Sequence, residues 1–189
     1  MRDYPNIDRL VLASASPRRA ELLASLGLEF EIRIPDIDET PRPGERPQAF
    51  AERLAREKAA AIEIDAETVL IAADTIVTRQ DAILGKPTDE ADAFTMLSSL
   101  AGRTHEVITG VCARRGAAFQ VFSVSTEVVF RALTETEIRA YIAGGDPMDK
   151  AGAYAIQGGA AHMVKAIRGS YTNVVGLPLC ELHEVLVSF

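Results

Sequence analysis

Residues 68–74, TVLIAAD, constrain this chain more than any other stretch. An unbroken apolar run bounded by polar residues reads as a buried strand, and here it closes on a carboxylate, Asp74. Strand-like and helix-like segments alternate around it, with no Ser/Gly linker and no internal repeat. Mixed strands with interspersed helices predict an α/β fold built on a mixed sheet. At 189 residues the chain is long enough for one domain, 1–189, with a sizeable core.

The pattern predicts a strand over 8–14, a helix over 17–27 and a strand over 29–34, followed by a proline-rich loop, PDIDETPRPGER. A helix is expected at about 47–63, then the 68–74 strand, then a hairpin in IVTRQDAILG turning near Gln80 and Asp81. A helix over 89–100 opens on Thr88-Asp89-Glu90, an acidic N-terminus that suits the helix dipole. Strands over 103–114 and 117–131 pair across Arg115-Gly116, with Phe122, Val124, Val128 and Phe130 alternating onto one face. Thr134 and Glu137 form a capping-box pattern for a helix over 134–143. A glycine-rich loop near 144–159, a short strand near 162–167 and a helix at about 177–187 complete the chain. Loops of that length usually have a function.

Twenty Lys and Arg against 27 Asp and Glu give a net charge of −7. That balance argues against duplex nucleic acid or an anionic membrane as partner, yet permits a small anion in a local basic pocket. Cys112 and Cys180 lie far apart without zinc spacing and read as two buried free thiols in a reducing compartment. The N-terminus lacks the apolar segment of a signal peptide, and no run approaches the ~20 residues that span a bilayer. A cytoplasmic location is the expectation.

Several charges stand where a core would not want them. Phe50, Ala51, Leu54, Ala55 and Ile62 form one helical stripe, and Lys58 falls near its middle. Either Lys58 snorkels from a frayed edge, or the stripe lines a cleft where the ammonium meets an anion. Asp74, delivered by a buried strand to the crevice outside its carboxyl end, suits a metal or a base. A turn-capping role is the alternative, although IVTR continues apolar beyond it. Lys86, before Pro87, is held extended. Asp38 and Glu39 fit a solvated acidic loop, and Asp149, Lys150 and Gln157 lie in the glycine-rich loop, where the amide suits reading a nucleobase edge.

His105, His162 and His183 show no ligand spacing and read as structural. Ser14 and Ser16 lie in no GxSxG elbow, and neither common glycine-rich phosphate loop is present. Arg18 and Arg19 sit where a helix start is already electropositive, a placement that an anion would make favourable and whose absence would cost stability. Mixed charge of this kind suits a polyphosphate with a divalent cation.

LASASPRR (12–19), AREKA (55–59), AADTIV (72–77), LGKP (84–87), THEVITGV (104–111), DKAGAYAIQG (149–158) and GSYTNVVGLPL (169–179) occur in that order. With these motifs the chain resembles the Maf nucleotide pyrophosphatases nearly end to end. The resemblance implies an elongated mixed sheet flanked by helices around a central cleft, similar to inosine triphosphate pyrophosphatases. It implies hydrolysis of a nucleoside triphosphate to the monophosphate and pyrophosphate with a divalent metal, Mg²⁺ or Mn²⁺. By the same resemblance Asp74 is the general base, and Lys58 and Lys86 are catalytic groups that line the phosphate site with Arg18 and Arg19. Ser14, Ser16, Arg18, Arg19, Thr75 and Gln157 would bind substrate, with Arg18, Thr75 and Gln157 at the positions tied to base specificity. Glu39 and Asp74 would hold the metal. DKAGAYAIQG resembles the branch acting on dTTP and UTP, with Ala155 standing where most relatives are expected to carry glycine. Two other readings stay open: a 7-methyl-GTP pyrophosphatase of the same family, and a nucleotide-binding regulator of septum formation with little turnover. The partner implied is a small-molecule nucleotide. Relatives suggest a homodimer, although no helix shows a heptad seam.

Overall fold

The computed structural model describes residues 4, 6–145 and 147–188. Its frame is a seven-stranded mixed sheet in the order β2-β1-β3-β5-β6-β7, with β4 on β3. β1 (Arg9–Ala13) runs parallel to β2 (Glu31–Ile32) and to β3 (Thr68–Arg79). β4 (Ala82–Leu84), β5 (Thr104–Arg115), β6 (Ala118–Phe130) and β7 (Val164–Arg168) join by antiparallel pairing. Helices α1 (Pro17–Ala24), α2 (Pro47–Ala60), α3 (Glu90–Leu100), α4 (Glu135–Ala143), α5 (Tyr171–Val175) and α6 (Leu179–Ser188) complete the set. None of the described helices is long and apolar enough to cross a membrane.

β3 organises everything else. The sequence pattern ends this strand at Asp74, whereas the structure carries it unbroken to Arg79. Antiparallel pairing with β5 runs from Val69 to Thr78 and holds it extended. Gln80 and Asp81 then turn with φ of 52° and 63°, the positive pair that a two-residue hairpin needs. On the opposite edge of β3, β1 pairs with Thr68–Ala72 and β4 with Val77–Arg79. Residues 73–76 are bordered by neither. Asp74 is thus interior to its strand and lies just past the carboxyl end of β1, where α/β sheets open to ligands.

Alternation puts Asp74 and Thr75 on opposite faces of β3. The Asp74 face, with Leu70, Ala72 and Ile76, packs under α2 through Phe50, Ala51, Leu54, Ala55 and Ala59. Gly110, the β5 partner of Asp74, makes that packing possible. A Cβ there would lie 2.3 Å from the Ala51 carbonyl oxygen. The other face packs Val69, Ile71 and Ala73 against Leu23, Leu26, Leu182 and Leu186.

Other boundaries shift for local reasons. The first helix stops at Ala24 and not at 27, because Gly27 turns with φ 75° and donates to the Ala24 carbonyl. The second stops at Ala60 and not at 63, where the Arg114 guanidinium takes the Ala59 and Ile62 carbonyls at 2.9 and 3.0 Å. The expected 29–34 strand is only Glu31–Ile32, with one further backbone bond to β1 from the Arg33 N–H to the Leu12 carbonyl at 3.0 Å. The expected 177–187 helix begins at Leu179, and a separate turn of helix, α5, precedes Gly176 with φ 127°. Thr134 and Glu137 form the capping box as the sequence predicts. Cys112 is buried and free, but Cys180 is exposed, because α6 turns Leu182 and Leu186 to the core instead.

Candidate active site

A cleft of about 630 Å³ opens at the gap beside β3. Ser14, Ser16, Arg18, Arg19, Glu39, Lys58, Asp74, Thr75, Lys86 and Gln157 all line it. Every site residue expected from the sequence is therefore on one wall or another of a single hollow. Asp149 and Lys150 join them, while Asp38 stays outside it. Asp38 instead accepts from the Thr40 N–H and hydroxyl at 2.9 and 2.6 Å, a turn of its own.

At the centre is one ammonium between two carboxylates. Lys58 Nζ lies 2.6 Å from Asp74 Oδ1 and 2.7 Å from Glu39 Oε1. Lys58 and Asp74 are both buried, so the snorkelling alternative is set aside. The close approach of α2 at Gly110 brings the Lys58 stripe onto the Asp74 face. Burial pushes the Glu39 carboxyl up, but the Lys58 hydrogen bond and the charges of Lys58, Lys86 and Arg19 outweigh it and hold the group below its ordinary value. Glu39 reaches inward from an otherwise exposed loop because Arg53 of α2 ties that loop down. Its guanidinium bonds Glu45 at 2.7 and 2.8 Å and the Thr40 carbonyl at 3.1 Å.

Arg18 and Arg19 part company. Ser16 caps α1 by accepting from the Arg19 N–H. The Arg19 side chain turns back from there: Nε donates to the Gly176 carbonyl at 2.8 Å, and the guanidinium reaches Ser14 Oγ at 3.3 Å and Thr75 Oγ1 at 3.0 Å. Burial lowers its pKa, Asp74 and Glu39 oppose that, and Arg18 reinforces it. Its cost at a helix start is thus offset by neutral oxygens as well as by any anion, which corrects the expectation that only a ligand could compensate it. Arg18 lines the cleft, and its charge helps the Lys150 hydrogen bond keep Asp149 below its ordinary value.

Beneath Thr75 runs a buried polar chain that the sequence reading left out. Thr75 Oγ1 and Thr109 Oγ1 lie 2.9 Å apart, and Thr109 donates to the Asn173 carbonyl at 2.9 Å. The Asn173 amide donates to the Val107 carbonyl at 2.9 Å and Thr126 Oγ1 at 3.0 Å. A threonine inside the apolar run VITGV was the available signal. Among the described residues no group of three or more His, Cys, Asp or Glu side chains could hold a metal. Glu39 and Asp74 remain as a pair of hard oxygen donors facing one cation, a donor set that fits a magnesium-like ion completing its shell with water and phosphate oxygens.

Fold and site together define a class: an α/β chain whose split mixed sheet gathers both signs of charge into one hollow. Residues 9–189 match the family described as Maf-like protein. The chain is 59% identical to the dTTP/UTP pyrophosphatase of Geobacter sulfurreducens, over 94% of this chain and 95% of that one. It is 57% identical to the dTTP/UTP pyrophosphatase of Geobacter metallireducens, over 96% of each. Among solved structures it is similar to the Staphylococcus aureus Ham1 protein, at 16% identity and TM-score 0.47, over 65% of this chain and 72% of that one. A dITP/XTP pyrophosphatase from Mycobacterium abscessus aligns at 18% identity and TM-score 0.42, over 66% and 75%. The chain belongs to the Maf family.

Proposed function

We propose that this chain hydrolyses dTTP and UTP to the nucleoside monophosphate and pyrophosphate. One observation carries the reading: Lys58 is held between Asp74 and Glu39 inside a cleft that Arg18, Lys86 and Gln157 also line. The names of the Geobacter relatives, at more than half identity along nearly the whole chain, supply the substrate.

In this reading water attacks the α-phosphorus, and the bond from that phosphorus to the α,β-bridging oxygen breaks. The bridging oxygen leaves with pyrophosphate. The Asp74 carboxylate orients the water and takes its proton. Lys58, Lys86 and Arg18 offset charge on the non-bridging and leaving oxygens. Ser14, Ser16 and Arg19 shape the phosphate end of the cleft, while Thr75 and Gln157 test the base. Glu39 and Asp74 would hold a divalent cation, Mg²⁺ or Mn²⁺, which supplies Lewis-acid neutralisation of phosphate charge. The substrate is a small molecule and not duplex nucleic acid, in keeping with a net charge of −7. Two free cysteines fit a cytoplasmic setting.

Asp74→Asn keeps the shape of the side chain, and Lys58 retains Glu39 as a partner, so the fold should survive. Pyrophosphate release with Mg²⁺ should fall by about two to four orders of magnitude. Near-normal release would sink the base assignment. A panel of dTTP, UTP and 7-methyl-GTP reads the base preference, with the two pyrimidine nucleotides expected to turn over fastest.

A further inference from the structure

His105 takes no part in the proposed chemistry, yet it lies buried behind the wall of the cleft. It projects from β5, and its Nε2 is 2.7 Å from the Tyr154 hydroxyl. The imidazole meets Tyr154 and Phe130 edge-on at 5.4 and 4.9 Å, and those two rings meet at 4.8 Å. Nδ1 makes no hydrogen bond among the described residues. A charged imidazole in this apolar cage would leave an N–H orphaned, and burial draws its pKa down to about 4. The ring therefore stays neutral, and its bond to Tyr154 intact, near neutral pH.

Tyr154 lines the cleft, three residues before Gln157. The segment that carries both is strained. Ala153 holds φ 60°, a left-handed conformation that the Cβ of an alanine disfavours. Such strain persists only where neighbours over-determine it. Two ties do so here. The Gly152 N–H donates to the Gly85 carbonyl at 3.0 Å, beside Lys86, and the lack of a Cβ on Gly152 leaves room for Val77, whose side chain would lie 2.9 Å from one. The second tie is the Tyr154–His105 hydrogen bond on the other side of Ala153.

We propose that His105 is a positioning residue: through the Tyr154 hydroxyl it holds the strained turn over 150–157 so that the Gln157 amide meets the base. The inference rests on the proposed role of Gln157. It assigns a job to the histidine of THEVITGV that core packing alone would not require.

Tyr154→Phe deletes the hydroxyl and keeps the ring, His105→Leu removes the imidazole, and His105→Gln retains a polar atom. In folded Tyr154→Phe and His105→Leu, KM for dTTP should rise about tenfold with kcat down less than threefold, and preference for dTTP over dATP should fall about as much. His105→Gln should recover most of the loss, and the Tyr154→Phe/His105→Leu pair should be no worse than either alone. Should His105→Leu fail to fold, Tyr154→Phe decides. Wild-type KM and base preference in folded Tyr154→Phe overturn the inference, leaving His105 a core residue. Gln157→Ala separates the two claims. If it keeps the wild-type base preference, the role of Gln157 falls and the inference falls with it. If it relaxes that preference and Tyr154→Phe does not, the clamp alone falls.

Discussion

Lys58 has more consequences than any other residue in the chain. Its ammonium satisfies Asp74 and Glu39 together, with only about a tenth of the Lys58 and Asp74 side chains exposed. Lys58→Met leaves Asp74 charged and unpaired, so stability should fall toward the lower end of about 3–5 kcal/mol, as read by urea unfolding. The same change releases both carboxylates from their cation. Mn²⁺ titrated without nucleotide should then bind the variant more tightly than the parent, measured from the free-ion electron paramagnetic resonance signal. An unchanged isotherm would argue against Glu39 and Asp74 as the cation pair. Lys58 was legible in the sequence as a charge in an apolar stripe. Arg53, which draws Glu39 inward, was not, because an arginine on an amphipathic helix looks like an ordinary solvated one.

At the scale of elements, the contact between α2 and β5 governs the site. Gly110 stands opposite Asp74, and the Ala51 backbone occupies the place of its missing side chain. Gly110→Ala must push a helix backbone, and not a flexible side-chain end, away from the sheet. Overpacking of this kind costs about 1–3 kcal/mol, and a shifted α2 carries Lys58 with it. Turnover should therefore fall alongside the melting temperature; full activity in a destabilised variant would show that the α2 position is not critical. The helix was readable from its 3.6-residue period, and so was its apolar face. Its depth against the sheet was not, since one glycine in a strand signals a close approach without naming what approaches.

For the whole molecule, acid is the revealing stress. His105 sits at about 4 in the fold against an ordinary 6.5. Between those values the unfolded chain takes up a proton that the folded one refuses, so stability drains away as pH falls from 6.5 to 4, by about 3 kcal/mol in all. A second loss follows at lower pH. There Glu39 is held below its ordinary value, and Glu137 is held at about 2 by Arg131 and Thr134; both must give up their charge. Urea midpoints measured against pH should show the upper limb flatten in His105→Gln while the lower limb stays. A parent curve level from 6.5 to 4 would contradict the buried neutral imidazole.

Residue types and their spacing were enough to establish the α/β class, most element cores, the motif set and the ionic residues that end in the cleft. Local chemistry decides these: apolar periodicity, caps and prolines act over a few residues and leave their mark in order along the chain. Tertiary structure alone decided that β3 runs past Asp74, that Arg19 spends its guanidinium on Ser14, Thr75 and Gly176, and that His105 reaches Tyr154. Apart from Ser14, five residues from Arg19, the partners lie dozens of residues away along the chain. Pairing across such distances is chosen by the packing of the whole sheet, and no local pattern encodes it.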